Sequence, residues 1–186
     1  MFDLIVRGDQ VVTPQGTGAW DVCVTGETIA AVAAPGTFDD SQAGIVIDAT
    51  GKIVIPGGID PHIHSLWHIP PMEEGGEVSW TDGPDVVSKA AIHGGTTTLL
   101  DFANWQQSGT IEDVINVRKQ DWTGNCYTDY GYHIMLQGAI PPEILPQIGE
   151  AIQDGYPSIK IFTTDITPSR RGRKINHGHI WEIFKV

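Results

Sequence analysis

The sequence predicts an α/β protein: a small all-β part over residues 1–55, then alternating β and α segments over residues 56–186. Three observations carry that expectation. Up to about Ile55, short apolar runs alternate and are separated by turn residues, as half-buried strands require. Beyond Pro56, apolar β-branched runs and helical stretches succeed one another in steps of about 30 residues, the length of parallel strands joined by crossover helices. Two of those later runs also carry residues that packing does not call for. His62 and His64 end the first, and Lys160 sits inside the last.

In the β part, Leu4-Ile5-Val6 and Val11-Val12 flank Arg7-Gly8-Asp9-Gln10, which reads as a hairpin with a Gly-Asp turn. Residues 21–24, 28–32 and 44–48 are further strands, and Ala49-Thr50-Gly51-Lys52 is a turn. A region of this size and rhythm is one part of a β-sandwich.

Residues 53–64 form the first strand and ligand loop of the second part, bending at Pro56-Gly57-Gly58 and leaving through Asp60-Pro61. Residues 66–83 are a long connection containing Trp67, His68, Pro70, Pro71 and Trp80, and connections of that length tend to be functional or mobile. Residues 85–93 are helical and closed by Gly94-Gly95, and residues 96–102 are a buried strand. Thr110 caps a helix with an acidic first turn that runs to about Trp122. Residues 127–136 are a third strand, Pro141-Pro142-Glu143 opens a helix running to Asp154, and residues 158–163 are a fourth strand. A closed TIM-type (β/α)8 barrel takes about 250 residues. The second part has roughly half of that, so it reads as the first four βα units, with the rest of the barrel outside this chain. A four-unit open sheet is the alternative, and it leaves apolar first and last strands as bare edges.

The formal net charge of -12 argues against nucleic acid or an anionic membrane surface as partner. No apolar run approaches the roughly 20 residues that span a bilayer, and the first residues lack the features of a signal peptide. Cys23 and Cys126 lie far apart and read as reduced thiols, so a cytoplasmic protein is expected.

In an extended segment alternate side chains share a face, so His62 and His64 point the same way and can grip one metal ion through neutral imidazole nitrogens. A chance pair is about as good a reading of a lone His-x-His. Lys160, in Ser158-Ile159-Lys160-Ile161-Phe162, falls in a strand covered on both faces, where an ammonium is costly unless paired or deprotonated. A neutral lysine amine can take up CO2 as a carbamate, an anionic ligand with two oxygens that can bridge two metals. The alternative is a lysine snorkelling past its neighbours to solvent.

The run from Gly57 to His64, followed by Gly94-Gly95-Thr96-Thr97-Thr98 and Asp101-Phe102-Ala103, resembles the amidohydrolase superfamily. Within it the chain is most similar to the dihydropyrimidinase and hydantoinase branch, the hydrolases of cyclic amides. Asp3-Leu4-Ile5-Val6-Arg7-Gly8 and the run from Val46 to Lys52 fit the same pattern, and the similarity extends to about Asp165. The resemblance implies an N-terminal portion, with a sandwich completed by strands from the far C-terminus and a metal-dependent barrel. It implies His62, His64 and carboxylated Lys160 as ligands of two divalent ions, zinc first, with manganese, iron, cobalt or nickel as alternatives. A metal-bridging hydroxide would attack the amide carbonyl of a dihydropyrimidine- or hydantoin-like ring, and the C–N bond would break as the leaving nitrogen is protonated. The branch takes its general acid/base Asp and two more His ligands from later strands, expected beyond Val186, so no catalytic residue is assigned here.

The implied partners are a small cyclic amide, the remainder of the barrel on the same or a second polypeptide, and further copies of the chain, tetramers being common in the branch. A ureide, lactam or linear amide as substrate is an alternative. So is a non-catalytic scaffold relative, although such relatives typically lose the ligands that this chain keeps. The branch usually has Tyr where this chain has Asp165, and an ionised Asp cannot donate to an oxyanion. Asp165 therefore either caps a turn or meets a different substrate. His68, Asn104 and Asp165 are the substrate-pocket candidates, and Asp60 is expected to orient a histidine ring. His177 and His179 follow the basic loop Arg170-Arg171-Gly172-Arg173-Lys174 and read as structural, as does His93 at a helix end.

Overall fold

One long strand, β1 (Phe2–Thr13), organises the first unit of the chain, Met1–Pro56. The computed structural model describes residues 1–71, 75–166 and 171–186. β2 (Gly16–Thr25) pairs antiparallel with β1, and β3 (Thr28–Ala33) pairs antiparallel with β2. On its other side β1 pairs in parallel with β4 (Ala43–Asp48) and then with β5 (Ile53–Val54). The hairpin expected at Arg7-Gly8-Asp9-Gln10 does not form. These residues continue β1, and the surplus length is absorbed by a register slip between Gly8 and Val11, a bulge. Pairing on both sides overrides the local turn signal, since Arg7 has Asp21 opposite it on β2 and Asp48 opposite it on β4. The Arg7 guanidinium is held as well, donating to Asp21, to Asp40 at 2.6 Å and to the Phe38 carbonyl at 2.9 Å. The turn falls instead at Pro14-Gln15.

The second unit, Gly57–Val186, is α/β. It runs β6 (Gly58–Asp60), a small antiparallel hairpin of β7 (His68–Ile69) and β8 (Ser79–Trp80), α1 (Pro84–His93), β9 (Thr96–Asn104) and α2 (Ile111–Trp122). β10 (Asp129–Met135), α3 (Leu145–Gln153), β11 (Ile159–Lys160) and α4 (His177–Ile183) follow. β6, β9, β10 and β11 form one parallel sheet in that spatial order, each strand beside its predecessor in the series. Among the described residues no helix is long and apolar enough to cross a membrane.

Three element boundaries differ from expectation. Ile53–Val54, expected to open the first strand of the second part, pairs with β1 instead, and of residues 53–64 only Gly58–Asp60 joins the parallel sheet. Pro56, which has no amide hydrogen, separates the two. The helix expected from Pro141 begins as a single 3-10 turn, Pro142–Ile144, before α3. The fourth strand is two residues long, continued by an isolated bridge between Phe162 and Lys174, as suits a strand paired on one side only among the described residues.

β9 sorts its side chains by period two. Leu99 and Ala103 join the core formed with Ile111, Ile115 and Trp122 of α2, Ile134 of β10 and Ile148 of α3. Asp101 lies on that same helix-facing side, and Phe102 and Asn104 take the opposite face. α2 starts where the sequence said it would. Thr110 Oγ1 accepts from the Asp113 amide at 3.0 Å, and Asp113 Oδ2 accepts from the Thr110 amide at 2.8 Å, a reciprocal cap.

Candidate functional site

The ends of the parallel strands meet around the ring of Phe102. Past β6, the Ile63 amide donates to the Leu100 carbonyl at 3.1 Å and its side chain packs against the core. That leaves His62 and His64, its neighbours on either side, on the other face of the segment. Their rings lie 5.2 Å apart and nearly perpendicular, at 89°. Both rest on Phe102, at 4.7 Å for His62 and 4.9 Å for His64. From the other edge of the sheet, Lys160 Nζ comes within 5.6 Å of the same ring and 5.8 Å of Phe162. The three residues picked out as ligands are thus brought to one aromatic floor.

The donor chemistry fits a divalent ion. Partial desolvation, helped by the neighbouring His62 and Lys160, holds His64 below the usual imidazole range, which favours the neutral ring that a metal ligand needs. Among the described residues no cluster of three or more His, Cys, Asp and Glu side chains gathers for a metal. Lys160, as a carbamate, would supply the anionic oxygens that the histidines lack.

A buried network steadies the histidine segment. Asp101, fully buried, accepts from the Phe102 amide at 2.8 Å, Arg118 Nη1 at 3.1 Å, Trp122 Nε1 at 3.2 Å and Trp67 Nε1 at 3.3 Å. Burial pushes its carboxyl up from the ordinary value, while these hydrogen bonds and Arg118 pull it back. Arg118 also donates to the Ser65 carbonyl at 2.8 Å and pairs with Asp121. Trp67, held by Asp101, packs on His64 at 4.3 Å with the rings tilted by 51°. Neither Arg118 nor Trp122 was singled out from the sequence; their spacing of four on α2, which puts both on one face, was the available signal.

No family model matches the chain. It is 34% identical over 160 residues to the D-hydantoinase of Streptomyces coelicolor, an alignment covering 85% of this chain and 33% of that protein. It is 31% identical over 137 residues to the dihydropyrimidinase of Rattus norvegicus, covering 72% of this chain and 25% of that protein. The chain is homologous to the hydantoinases and dihydropyrimidinases. The crystal structure of dihydropyrimidinase from Brevibacillus agri superposes on 98% of the chain, using 36% of its own, with a TM-score of 0.78 and 29% identity. The chain spans about a third of the length of the D-hydantoinase it matches.

The remaining residues selected from the hydantoinase resemblance occupy varied settings. Asp60 Oδ1 accepts from the backbone amide of His62 at 3.1 Å, bonding the main chain of the ligand segment and not a ring. His68 lies on β7 and packs on Trp80 of the facing strand at 5.6 Å. Asn104 ends β9 and accepts from the Gln137 amide group. Asp165 accepts from the amides of Lys174 at 2.8 Å and Gly172 at 3.4 Å. His177 and His179 begin α4, where Asn176 accepts from the His179 amide at 2.9 Å, and Arg170 lies outside the described residues. Cys23 and Cys126 are free thiols.

Proposed function

We propose that this chain is part of a metal-dependent hydrolase of cyclic amides, acting on a dihydropyrimidine- or hydantoin-like ring. The observation that carries the reading is the convergence of His62, His64 and Lys160 on the Phe102 ring from opposite edges of one parallel sheet. These residues would hold divalent ions, two of them with Lys160 as its carbamate, and zinc suits the imidazole donors. When bound, such ions supply water ionised near neutral pH and positive charge for the amide oxygen.

The chain's own residues prepare that site. The surroundings of His64 favour its neutral ring. Phe102 and Trp67 pack against the His64 ring, and Asp101 with Arg118 holds the segment bearing both histidines. Lys160 Nζ lies over the rings of Phe102 and Phe162, on the aromatic floor that the two histidines share. Asp165 is engaged by two backbone amides, so we assign it to the loop and leave the substrate's oxyanion to another donor.

The sequential parallel sheet is read as the first part of a (β/α)8 barrel whose later strands supply the remaining ligands and the general acid/base. Ile29, Val32 and Ile55, exposed on the first unit, suit burial under further strands of a sandwich.

The test is elemental analysis of the protein together with whatever polypeptide completes its barrel, with a 13CO2 label read by NMR at Lys160. Two divalent ions per site and a carbamate signal, both lost in Lys160→Ala, are expected. A complete, folded assembly without metal would overturn the hydrolase reading in favour of a non-catalytic scaffold.

A further inference from the structure

His133 stands on β10, between the strand that leads into His62 and His64 and the strand that carries Lys160. Its ring reaches toward both. Nε2 lies 2.8 Å from the Pro61 carbonyl oxygen, and Nδ1 lies 2.6 Å from Ser158 Oγ. A carbonyl can only accept, so Nε2 carries the proton. In the neutral ring Nδ1 is then the acceptor, and the Ser158 hydroxyl donates to it. Pro61 directly precedes His62, and Ser158 stands two residues before Lys160. The ring also lies on Phe102, its register partner on β9, at 5.1 Å and 35°.

This placement matters because neither ligand-bearing strand is fixed by a long ladder. β6 and β11 are the two edges of the sheet, three and two residues long, and each pairs with one neighbour among the described residues. Two strands separate them, so the backbones stand about 14 Å apart at ordinary strand spacing. The side chains must close that gap over Phe102. A hydrogen-bonded link across the inner face fixes the gap in a way that the short edge ladders cannot.

We propose that His133 is a positioning residue for the metal site, a clamp that sets the separation of the His62–His64 segment from the Lys160 strand. This rests on the reading of those three residues as ligands. The rival role is packing alone, in which the ring only fills space beneath Phe102.

His133→Phe keeps an aromatic ring and removes both hydrogen bonds. His133→Gln can keep a donor for Pro61 and lose the Ser158 bond. Ser158→Ala removes a single oxygen and carries the test if the His133 variants do not fold. Each is made in the 186-residue chain. Folding is followed by amide NMR, the site by nuclear Overhauser contacts from His62, His64 and Lys160 to Phe102, and binding by Co(II) absorption titration. The clamp predicts a wild-type His133 protonated at Nε2 and a folded His133→Phe whose contacts to Phe102 weaken on at least one side. It also predicts cobalt affinity falling about 10- to 100-fold in His133→Phe, with smaller losses in the other two. A wild-type ring protonated at Nδ1, or a His133→Phe that keeps every contact and its affinity, would overturn the clamp. If wild type binds cobalt no better than His62→Ala, the chain without the rest of its barrel holds too few ligands for affinity to report, and the Phe102 contacts of the metal-free variants decide, weakened ones for the clamp and unchanged ones against it.

Discussion

Arg118 reaches from α2 to Asp101 on β9, Nη1 to Oδ2 at 3.1 Å, and the same nitrogen donates to the Ser65 carbonyl at 2.8 Å. One guanidinium therefore links a helix, a strand and the segment that carries His62 and His64. A carboxylate is tolerable at that depth because Arg118 answers its charge and two indoles and an amide answer its lone pairs.

Arg118→Met is expected to destabilise the fold by about 3–5 kcal/mol, because it leaves the Asp101 carboxylate buried without a counter-charge. Asp101→Asn should cost less, since Arg118 keeps Asp121 and the Ser65 carbonyl. Urea unfolding of both variants checks this. An Arg118→Met chain within about 1 kcal/mol of wild type, the range of an exposed pair, would show that the link carries no such weight.

Gly57 enters β6 against Thr97, leaving no room for a side chain: a Cβ at Gly57 would lie 2.2 Å from Thr97 Oγ1 and 2.3 Å from its Cγ2. Gly57→Ala should cost about 1–3 kcal/mol as an overpacked contact. The exchange Gly57→Ala with Thr97→Gly should recover part of that loss, a coupling of about 1 kcal/mol or more in a double-mutant cycle. Purely additive losses would place the strain elsewhere.

His62, His64 and Lys160 were legible because each is a residue that its strand does not need for packing, and the alternation of strands and helices placed them at strand ends. What the sequence could not show is the surface on which they meet. Phe102 looks like any strand aromatic until period two separates it from Asp101, and His133 is one polar residue in an apolar run. Its role depends on which neighbours lie to either side of β10, a tertiary fact. The turn signal at Gly8-Asp9 failed for the same reason, since pairing with β2 and β4 outweighed a local preference. Asp165 was weighed equally between turn and substrate, and its two amide partners belong to a loop whose path no local pattern fixes.

Asp165→Ala should free the Lys174 and Gly172 amides, and hydrogen exchange at Lys174 should quicken while α2 and β9 stay protected. Asp165→Asn keeps an acceptor oxygen and should show a smaller effect. Unchanged exchange at Lys174, together with a changed KM in the completed enzyme, would return Asp165 to the substrate pocket.

The cap of α2 makes a pH-dependent contribution whose sign can be stated. The amide and hydroxyl of Thr110 hold the Asp113 carboxyl below its ordinary value, so the folded chain prefers it ionised more strongly than the unfolded chain does. The stabilisation is then complete above the unfolded value of about 4 and is lost as pH falls through the lower, folded value. Wild type should exceed Asp113→Asn in melting temperature near neutrality, and the gap should narrow in acid. Thr110→Ala, which removes the other half of the cap, should cost about 1 kcal/mol with much of that loss retained at low pH. Thermal melts at a series of pH values decide the point, and a gap between wild type and Asp113→Asn that widens in acid would reverse the assigned shift.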